Sequence, residues 1–411
     1  MMRILVMTHA GGSPSHGPNM RWYYLAQALK QIGVNVEIVS SSSFHKYTSP
    51  PVVHAGYSTE EVNGIKYHWL KTRPYSRRGF PQVVNQLEYV VGCYRFYQHF
   101  LNYQPDIVLA SSPHPLVVFP ARKIAKKCNA RLVYEVRDLW PEVLLELGSF
   151  GRWHPYILML KFAERYGLKC SDHIISVKPG DYDYFNKEYN LPAERFSYIP
   201  NGFLPETSLH SAPEVVHSIR SRYHFLLGYV GALSVYYGLD RLISLAKQFR
   251  GDKDIAFVIV GKGDHDEKLR LMVDKSGLDN VFFTGQISKL QVSATLAEFD
   301  ACYVGLEDVG VHQYGISCNK IYEYMHAGKP IIGSYSAGYD PVKAAHCGFV
   351  APPGDYSSLV DAIKRLMVHP ENAQLLGKNG REYFDANHNF QVVADKLKQV
   401  LLPKNSSTQA V

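Results

Sequence analysis

The segment Tyr314–Ile332, YGISCNKIYEYMHAGKPII, contains in order a glycine-bearing loop, a helix start and a short apolar strand. One face of the predicted helix carries Ile316, Asn319, Lys320 and Glu323, spaced three or four residues apart or adjacent. The neighbouring face carries Ile321, Tyr324, Met325 and Gly328. A helix that packs on one face and leaves the other accessible, followed at once by a buried strand, is typical of an α/β sheet.

The accessible face of this helix has the chemistry of an anion site. Backbone N–H groups from Ser317 to Lys320 would lack partners at the helix start, and Lys320 adds a full positive charge there. We therefore expect a diphosphate to bind at this point. Glu323, one turn further on, can accept hydrogen bonds from two ribose hydroxyls. The simpler alternative is a surface helix in which Lys320 and Glu323 pair with each other.

Apolar strand-like runs alternate with helical patterns along the chain, which predicts parallel sheets covered by helices on both faces. Twelve runs fit this pattern: 4–7, 36–39, 65–70, 107–110, 132–136, 174–177, 226–230, 255–260, 281–284, 301–304, 330–332 and 348–350. A turn-rich stretch, Pro200–Pro205, lies between the sixth and seventh runs. Because 411 residues exceed what one core usually serves, we predict two doubly wound domains facing a cleft, residues 1–205 and 206–385.

Composition limits the classes of partner. The formal net charge is +7, and the basic residues are scattered except for Arg73, Arg77 and Arg78, so nucleic-acid binding is disfavoured. Phosphate ligands or an anionic membrane surface fit this charge better. The six cysteines show no paired spacing, which argues against a disulfide framework or a zinc site and indicates a reducing compartment.

The N-terminal run Arg3–His9 has no signal-peptide pattern behind it, so we expect a cytoplasmic location. No run approaches the roughly 18 apolar residues that a membrane span requires. Tyr89–Tyr103 is rich in aromatic residues and could form one side of a membrane-facing helix. Aromatic residues packed in a core explain the same segment.

A glycine-rich loop, THAGGSPSHGPNMR over 8–21, opens the first long helix and contains Gly12 and Gly17. It matches neither the dinucleotide fingerprint nor the P-loop, so the sequence predicts no nucleotide cofactor and no ATP. Arg21 falls near the start of that helix and close to the predicted cleft, where it could contact an acceptor. A solvated helix charge is the alternative for Arg21.

Charged residues also follow the fifth strand, in YEVRDLWPE over 134–142. Asp138 is our candidate to orient or deprotonate an acceptor hydroxyl, and Arg137 could hold it or an anionic group. Glu142 lies on the same side, and helix capping is the alternative for Asp138. His114, in SSPHP after the fourth strand, also points to the cleft unless it is structural.

Two segments imitate known phosphate or metal motifs. Asp181-Tyr-Asp183 looks like a metal-binding D-x-D pair, but it falls at a predicted helix start, where acidic residues are favoured without a metal. We therefore predict no metal site. Gly261-Lys262-Gly263 ends an apolar strand, so Lys262 could approach the donor phosphates without a P-loop.

Over nearly its whole length the chain resembles family 4 retaining glycosyltransferases of the GT-B fold, most closely the bacterial branch that builds O-antigen and capsule from nucleotide-linked aminosugars. The pieces that carry this resemblance are 135–142, 199–202, 229–232, 260–263 and 317–325. It implies a nucleoside-diphosphate sugar in the second domain and an acceptor in the first. It also implies that the last helix, within 386–411, crosses back to the first domain.

By position, Glu323 matches the second glutamate of the family's E-x7-E motif and would hold the ribose. Lys320 and the loop from Tyr314 to Ser317 would hold diphosphate and sugar. The chain departs from the family at Gly315, where the first glutamate is expected. After Gly231, Ala232 and 236–238 (YYG) replace the usual arginine and lysine, so Lys320 and Lys262 must neutralise the phosphates.

The resemblance implies metal-independent transfer with retention from a uridine-diphosphate N-acetylaminosugar, without a cofactor. The acceptor would be a glycan or a polyprenyl-diphosphate-linked sugar at the inner membrane face, as in lipopolysaccharide biosynthesis. Two alternatives stay open: a sugar-nucleotide epimerase of the same architecture, and a catalytically silent binding subunit.

Overall fold

The computed structural model describes residues 1–76, 79–148, 150–204 and 210–402. The chain forms two compact units, residues 1–201 with 390–411, and residues 202–389. Arg77, Arg78 and Pro205, which the sequence analysis singled out, lie outside the described residues.

The first unit is built on an eight-stranded sheet. Its strands are β1 (Met2–Thr8), β2 (Val34–Ser41), β3 (Tyr57–Val62), β4 (Ile65–Leu70), β5 (Ile107–Ser111), β6 (Arg131–Val136), β7 (His173–Ser176) and β8 (Phe196–Tyr198). The order across the sheet is β3-β4-β2-β1-β5-β6-β7-β8, parallel except for the antiparallel pair β3 and β4. Its helices are α1 (Arg21–Gln31), α2 (Phe80–Arg95), α3 (Tyr97–Leu101), α4 (Val118–Cys128), α5 (Glu142–Glu146), α6 (Pro155–Cys170) and α7 (Asp181–Tyr189).

The second unit has a six-stranded parallel sheet. Its strands are β9 (Phe225–Val230), β10 (Ile255–Val260), β11 (Val281–Gly285), β12 (Ala301–Gly305), β13 (Ile331–Ser334) and β14 (Gly348–Ala351), in the order β11-β10-β9-β12-β13-β14. Its helices are α8 (Glu214–Arg220), α9 (Leu239–Ala246), α10 (Asp266–Ser276), α11 (Lys289–Ala297), α12 (Asn319–His326), α13 (Pro341–Ala344), α14 (Tyr356–Val368) and α15 (Pro370–Asn387).

The last helix, α16 (Phe390–Leu401), belongs to the first unit, as expected for a crossover helix. Its apolar face joins the core beneath α1, and Lys398 Nζ donates to the carbonyl of Ile32 over 2.7 Å. Arg131 Nη1 donates to the carbonyl of Leu401 over 3.2 Å. The predicted pair of doubly wound parallel sheets, with a helix that returns to the first, is confirmed.

All twelve predicted strands are present, because each is an apolar run; most are buried, and the edge strands β11 and β14 are half-buried. The prediction missed β3 and β8. The sequence of β3, YSTEEV, is mostly polar because it is an antiparallel edge strand with one side in water, and β8 has only three residues. Neither strand produces a hydrophobic signal.

Candidate functional site

The centre of the second sheet has the topology that creates a crevice at the strand ends. The chain runs outward from β9 through β10 to β11 and then returns to β12 on the other side of β9. Loops that follow β9 and β12 therefore leave in opposite directions. In open parallel sheets, ligands bind at such a switch point, outside the carboxyl ends of the strands.

Two glycines form the floor of this crevice. Gly231, after β9, has φ +153°, and Gly261, after β10, has φ +144°. A Cβ on Gly261 would lie 1.8 Å from the carbonyl oxygen of Gly231, and the Gly231 N–H donates to Val260 over 2.9 Å. The two loops approach so closely that only glycine fits, and exposed backbone is left at the strand ends.

Lys320 lies directly over this floor, in the first turn of α12. A Cβ added to Gly231 would meet Lys320 Cε at 2.1 Å. The ammonium lies 3.4 Å from the ring centroid of Tyr237 and 5.5 Å from that of Tyr229. It forms no ion pair with any carboxylate in the described part of the chain. A buried cation held only by aromatic rings can take an anionic ligand.

The start of α12 supplies further donors beside Lys320. Its N-cap is Cys318, whose side chain makes no capping hydrogen bond, and its first turn contains no acidic residue. The backbone N–H groups of Asn319 and Lys320 have no acceptor within the helix, since they belong to its first turn. The exposed side chain of Asn319 leaves this end open. Helix dipole and lysine together favour an anion here.

Glu323 lies one turn further along α12 and is half-buried. Its carboxylate forms no hydrogen bond or ion pair among the described residues, so the alternative in which it pairs with Lys320 is wrong. Desolvation by the surrounding protein raises the pKa of Glu323, while the positive charges of Lys320 and Lys289 counteract that rise. The carboxylate is available to accept hydrogen bonds from a ligand.

The loop before α12 is held by its own backbone. Gly315 has φ +105°, and the N–H of Ile316 donates to the carbonyl of Tyr339 over 3.1 Å. The Ile316 side chain is buried in the core, so only its backbone can face a ligand. Tyr314 is half-buried, and Ser317 Oγ lies 3.3 Å from Tyr322 Oη.

Lys262 is exposed in the loop after β10, on the far side of Gly261. Its carbonyl accepts a hydrogen bond from the N–H of Leu233 over 3.1 Å, which fixes the loop without using the side chain. The Lys262 ammonium forms no ion pair within the described ranges. Lys262 is thus an exposed charge, whereas Lys320 is buried and lies over two aromatic rings.

The first sheet has its own switch point, between β1 and β5, and two histidines meet there. The rings of His9 and His114 lie 4.8 Å apart, and both side chains are buried. His9 Nε2 lies 2.5 Å from Asn85 Oδ1, whereas neither ring nitrogen of His114 has a partner among the described residues. Burial lowers the pKa of His9 to about 4 and that of His114 well below its usual value, so both are neutral. Sequence reasoning missed His9.

Arg21 is neither a solvated charge nor open to a ligand, contrary to both expectations. Its Nε donates to Glu135 Oε1 over 3.0 Å, and Nη1 and Nη2 donate to the carbonyls of Pro200 and Ile199 over 2.6 and 3.1 Å. Glu135 is fully buried and also accepts from Trp22 Nε1 over 2.8 Å. Arg21 therefore ties β6 to the segment that ends the first unit, a structural role.

The glycine-rich loop is also folded on itself. A Cβ on Gly12 would lie 1.9 Å from the carbonyl oxygen of Pro18, and Gly17 has φ +121°. The carbonyl of Gly12 accepts from Tyr67 Oη over 2.9 Å. Both glycines are required by the loop's shape, which leaves its backbone as the part that could contact an acceptor.

Asp138 is exposed at the carboxyl end of β6, and Arg137 beside it is anchored through its N–H to Ser112 Oγ over 2.8 Å. Desolvation by the surrounding protein raises the pKa of Asp138, and the positive charges of Lys178, Arg137 and Lys46 counteract that rise. Asp138 does not cap α5, whose N-cap is Pro141, so that alternative is wrong.

Glu142 and Asp181 have partners of their own. Glu142 pairs with Lys161 Nζ over 3.0 Å, which makes it a poor candidate for contact with an acceptor. Asp181 pairs with Lys178 Nζ over 3.0 Å and accepts from Ser176, so it serves the fold. Within the described ranges no group of three or more His, Cys, Asp or Glu side chains is placed to hold a metal ion.

In the same ranges, no helix combines the length and the apolarity needed to cross a bilayer.

Curated relatives align with part of the chain. One is 24% identical over 248 residues, 58% of this chain and 62% of its own length, and is an alpha-D-kanosaminyltransferase of Streptomyces kanamyceticus. Another, 27% identical over 50% of this chain and 55% of its own length, is the O-antigen chain mannosyltransferase C of Escherichia coli. The chain thus spans about six-tenths or less of these relatives.

Solved structures match over almost the whole chain. Sucrose-phosphate synthase of Thermosynechococcus elongatus has a TM-score of 0.70 at 18% identity and covers 97% of this chain and 98% of its own. Anabaena HepE in complex with UDP has a TM-score of 0.67 at 16% identity and covers 97% and 99%. At this identity, the likeness establishes the fold.

Family models divide the chain where the two units divide. Residues 16–202 match the glycosyl transferase 4-like domain, and residues 220–383 match glycosyl transferases group 1. The GT-B fold and the two matches agree over most of the chain. The first domain of this chain therefore belongs to the glycosyl transferase 4-like family and the second to the glycosyl transferases group 1 family.

Proposed function

We propose that this chain is a retaining glycosyltransferase that binds a nucleoside-diphosphate sugar in its second domain and transfers the sugar to an acceptor hydroxyl at the first. One observation carries the proposal: Lys320, the open start of α12, the Gly231 and Gly261 floor and the unpartnered Glu323 converge at the switch point of one sheet. Positive charge and free N–H donors match a diphosphate, and a carboxylate one turn away matches a ribose.

In the proposed mechanism the leaving diphosphate is stabilised by the Lys320 ammonium and by the N–H groups at the start of α12. These donors are already fixed in the ligand-free protein, so little reorganisation accompanies bond breaking. The acceptor hydroxyl approaches the face that the diphosphate leaves, which retains the anomeric configuration. Asp138, exposed at the end of β6 beside Arg137, is our candidate to orient that hydroxyl or to take its proton.

We further propose that the reaction needs no metal or other cofactor, because Lys320 and the helix start supply the positive charge that a metal would. Gly315, Ile316 and Tyr314 would meet the donor sugar, mainly through backbone groups. Lys262 would reach the diphosphate from the rim of the crevice.

The donor in this proposal is a uridine-diphosphate sugar, specifically an N-acetylaminosugar. Support comes from the fold shared with HepE, which was solved with UDP, and from the relative named for kanosaminyl transfer. The acceptor is a glycan or a polyprenyl-diphosphate-linked sugar at the inner membrane face, in O-antigen, capsule or lipopolysaccharide synthesis. The O-antigen chain mannosyltransferase of Escherichia coli supports that context.

A ligand panel tests the proposal directly. Purified protein is heated with nucleosides, nucleoside diphosphates and their sugars, since a ligand that binds only the native state stabilises it by about 2.7 kcal/mol at 100 times its Kd. We expect one nucleoside diphosphate and its sugar to stabilise the protein, and release of that diphosphate when an acceptor is added. A changed sugar on the nucleotide without any acceptor would indicate an epimerase. Binding without turnover on any acceptor would indicate a silent subunit.

A further inference from the structure

Three neighbouring helices, α2, α4 and α6, form one outer surface of the first domain, which we call the three-helix face. Lys123 of α4 lies over the ring of Tyr94 of α2 at 5.2 Å. Phe119 of α4 stacks on Phe162 of α6 with ring centroids 6.1 Å apart. These contacts join the three helices into a continuous surface.

The helix α2 has a buried inner side and an apolar outer side. Its inner side buries Asn85, Gln86, Tyr89 and Cys93. Its outer side exposes Phe80, Leu87, Val91 and Tyr94, which are 78%, 41%, 62% and 38% exposed. These four fall seven, four and three residues apart, so they form one stripe. The outward side of a helix is normally polar, whereas this side exposes an apolar stripe, with the Lys123 ammonium over the ring of Tyr94 at one end.

This stripe differs from the one that the sequence suggested. Within Tyr89–Tyr103, Tyr89 and Phe100 are fully buried, so the segment mainly fills the core. Arg73 pairs with Glu88 over 2.6 Å. The exposed apolar residues begin earlier, at Phe80, and continue onto α6.

The helix α6 extends the apolar surface. Phe162 is 64% exposed and Leu158, one turn before it, is 45% exposed. Trp153, just before α6, is 81% exposed. Because α4 follows β5 and α6 follows β6, both helices start at the carboxyl edge of the sheet. The apolar part of the face therefore lies toward the edge that carries Asp138.

The three-helix face also holds most of the excess positive charge of the protein. Its helices contain eight basic residues: Arg95, Arg122, Lys123, Lys126, Lys127, Lys161, Arg165 and Lys169. They contain two acidic residues, Glu88 and Glu164, and Glu164 is buried. The whole chain has a formal charge of only +7, so the rest of it is close to neutral. Five of the basic residues are exposed and form no ion pair within the described ranges: Arg95, Lys126, Lys127, Arg165 and Lys169.

We propose that the three-helix face docks this protein on an anionic lipid bilayer, with its apolar stripe among the headgroups and its basic residues against the lipid phosphates. Apolar side chains beside lysine and arginine are the pattern of peripheral binding to anionic membranes. A lipid-linked acceptor would then reach the sheet edge near Asp138 from the bilayer. This last step rests on the proposed function, whereas the docking itself does not.

Vesicle sedimentation tests the docking without any substrate. Full-length protein is mixed with vesicles of phosphatidylcholine alone or with about one-third phosphatidylglycerol, at low and high salt. We expect the protein to pellet with the anionic vesicles and to be released by salt. Each basic residue near an anionic surface contributes about 1 kcal/mol, or about fivefold in partition. Lys126→Glu with Lys127→Glu should therefore weaken partition by more than about 20-fold.

Matched variants separate the face from a general loss of charge or apolarity. Val91→Glu with Phe162→Glu should abolish pelleting, whereas Val368→Glu with Leu375→Glu, at exposed positions of α14 and α15, should not. Lys364→Glu with Arg365→Glu controls for the lysine variant. Circular dichroism and thermal unfolding confirm that each variant is folded.

Three outcomes overturn the proposal. The first is that wild-type protein does not pellet with anionic vesicles, and the second is that face and control variants lose vesicle binding equally. The third is that the wild-type protein is a dimer that does not bind vesicles and that Val91→Glu with Phe162→Glu dissociates. The last would make the face a contact between copies of the chain. Nucleotide stabilisation is measured on the same samples. Its absence would count against the proposed function and leave the docking result intact.

Discussion

Replacing Lys320 by methionine removes the charge from the crevice of the second domain and keeps most of the side-chain volume. A hydrogen bond to a charged group contributes about 1.5–3 kcal/mol. The Tyr237 ring, 3.4 Å from the ammonium, already holds Lys320 over the crevice, so the lysine need not rearrange to meet a diphosphate. We therefore take the full contribution of about 1.5–3 kcal/mol, and Lys320→Met should raise the Kd for a nucleoside diphosphate about 10- to 150-fold.

The ligand-free variant should remain stable, since methionine fills the same space above Gly231. The lost contact with Tyr237 amounts to about 0.5–1 kcal/mol, and in a domain of this size that lowers the Tm by no more than about 4 °C. Affinity and stability are therefore separable for this substitution.

The assay is titration calorimetry with the nucleoside, monophosphate and diphosphate of the base that the panel identifies. Lys320→Met should lower the affinity for the diphosphate and leave the affinity for the nucleoside unchanged, because only the phosphates approach the ammonium. Lys364→Met, on the exposed side of α14, is the control for a lost lysine. An equal loss for nucleoside and diphosphate would show that the variant distorts the site, and an unchanged diphosphate affinity would refute the role of Lys320.

Three more substitutions test other parts of the structure. Glu323→Ala should raise the Kd of the nucleoside diphosphate by about 10-fold or more, because it removes the hydrogen bonds from the ribose hydroxyls. Variant and wild type should bind the 2′,3′-dideoxy analogue equally, because that analogue lacks these hydroxyls. Arg21→Met should lower the free energy of unfolding by about 3–5 kcal/mol in urea, because Glu135 is left buried and unpaired; Glu135→Gln in the same chain should restore part of it. Glu164 holds a proton in the fold, since burial raises its pKa from 4.5 to about 8. The protonated Glu164 contributes fully to the free energy of unfolding below pH 4.5, and this contribution is lost as pH rises through 8. The loss amounts to up to about 5 kcal/mol. Glu164→Gln, which cannot ionise, should therefore flatten the fall in the free energy of unfolding between pH 5.5 and 8.5.

The sequence predicts those features that depend on near neighbours in the chain. The face of α12 that carries Lys320 and Glu323 follows from a three-residue spacing, and the parallel sheets follow from runs such as 255–260. The same logic fails at β3, where an edge strand in water has no apolar run. Local pattern indicates burial, and an edge strand is only partly buried.

Pairings between distant segments were not predictable in this way. Arg21 and Glu135 are 114 residues apart, and each was visible only as a charge near a strand or helix end. A buried charge can exist only with its partner, so finding Arg21 inside the protein required knowing that β6 passes beside α1. His9 and His114 meet for the same topological reason, at the switch point of the first sheet. Sequence identified the strand ends where chemistry could occur, and the fold decided which side chains there are already paired.

Tyr237 shows how a departure from a family pattern can change its meaning once geometry is known. In the sequence, 236–238 (YYG) counts as the loss of phosphate-binding charges after Gly231. In the structure, the Tyr237 ring holds the Lys320 ammonium over that glycine, at a distance where the ring face attracts a cation. A second cation at this position would repel Lys320 and open the crevice, whereas an aromatic ring keeps a single lysine in place while no ligand is bound. The aromatic ring thus positions the one lysine where a second charge would otherwise lie. We therefore expect Tyr237→Leu to weaken diphosphate binding because Lys320 is no longer held in place, although Tyr237 itself bears no charge.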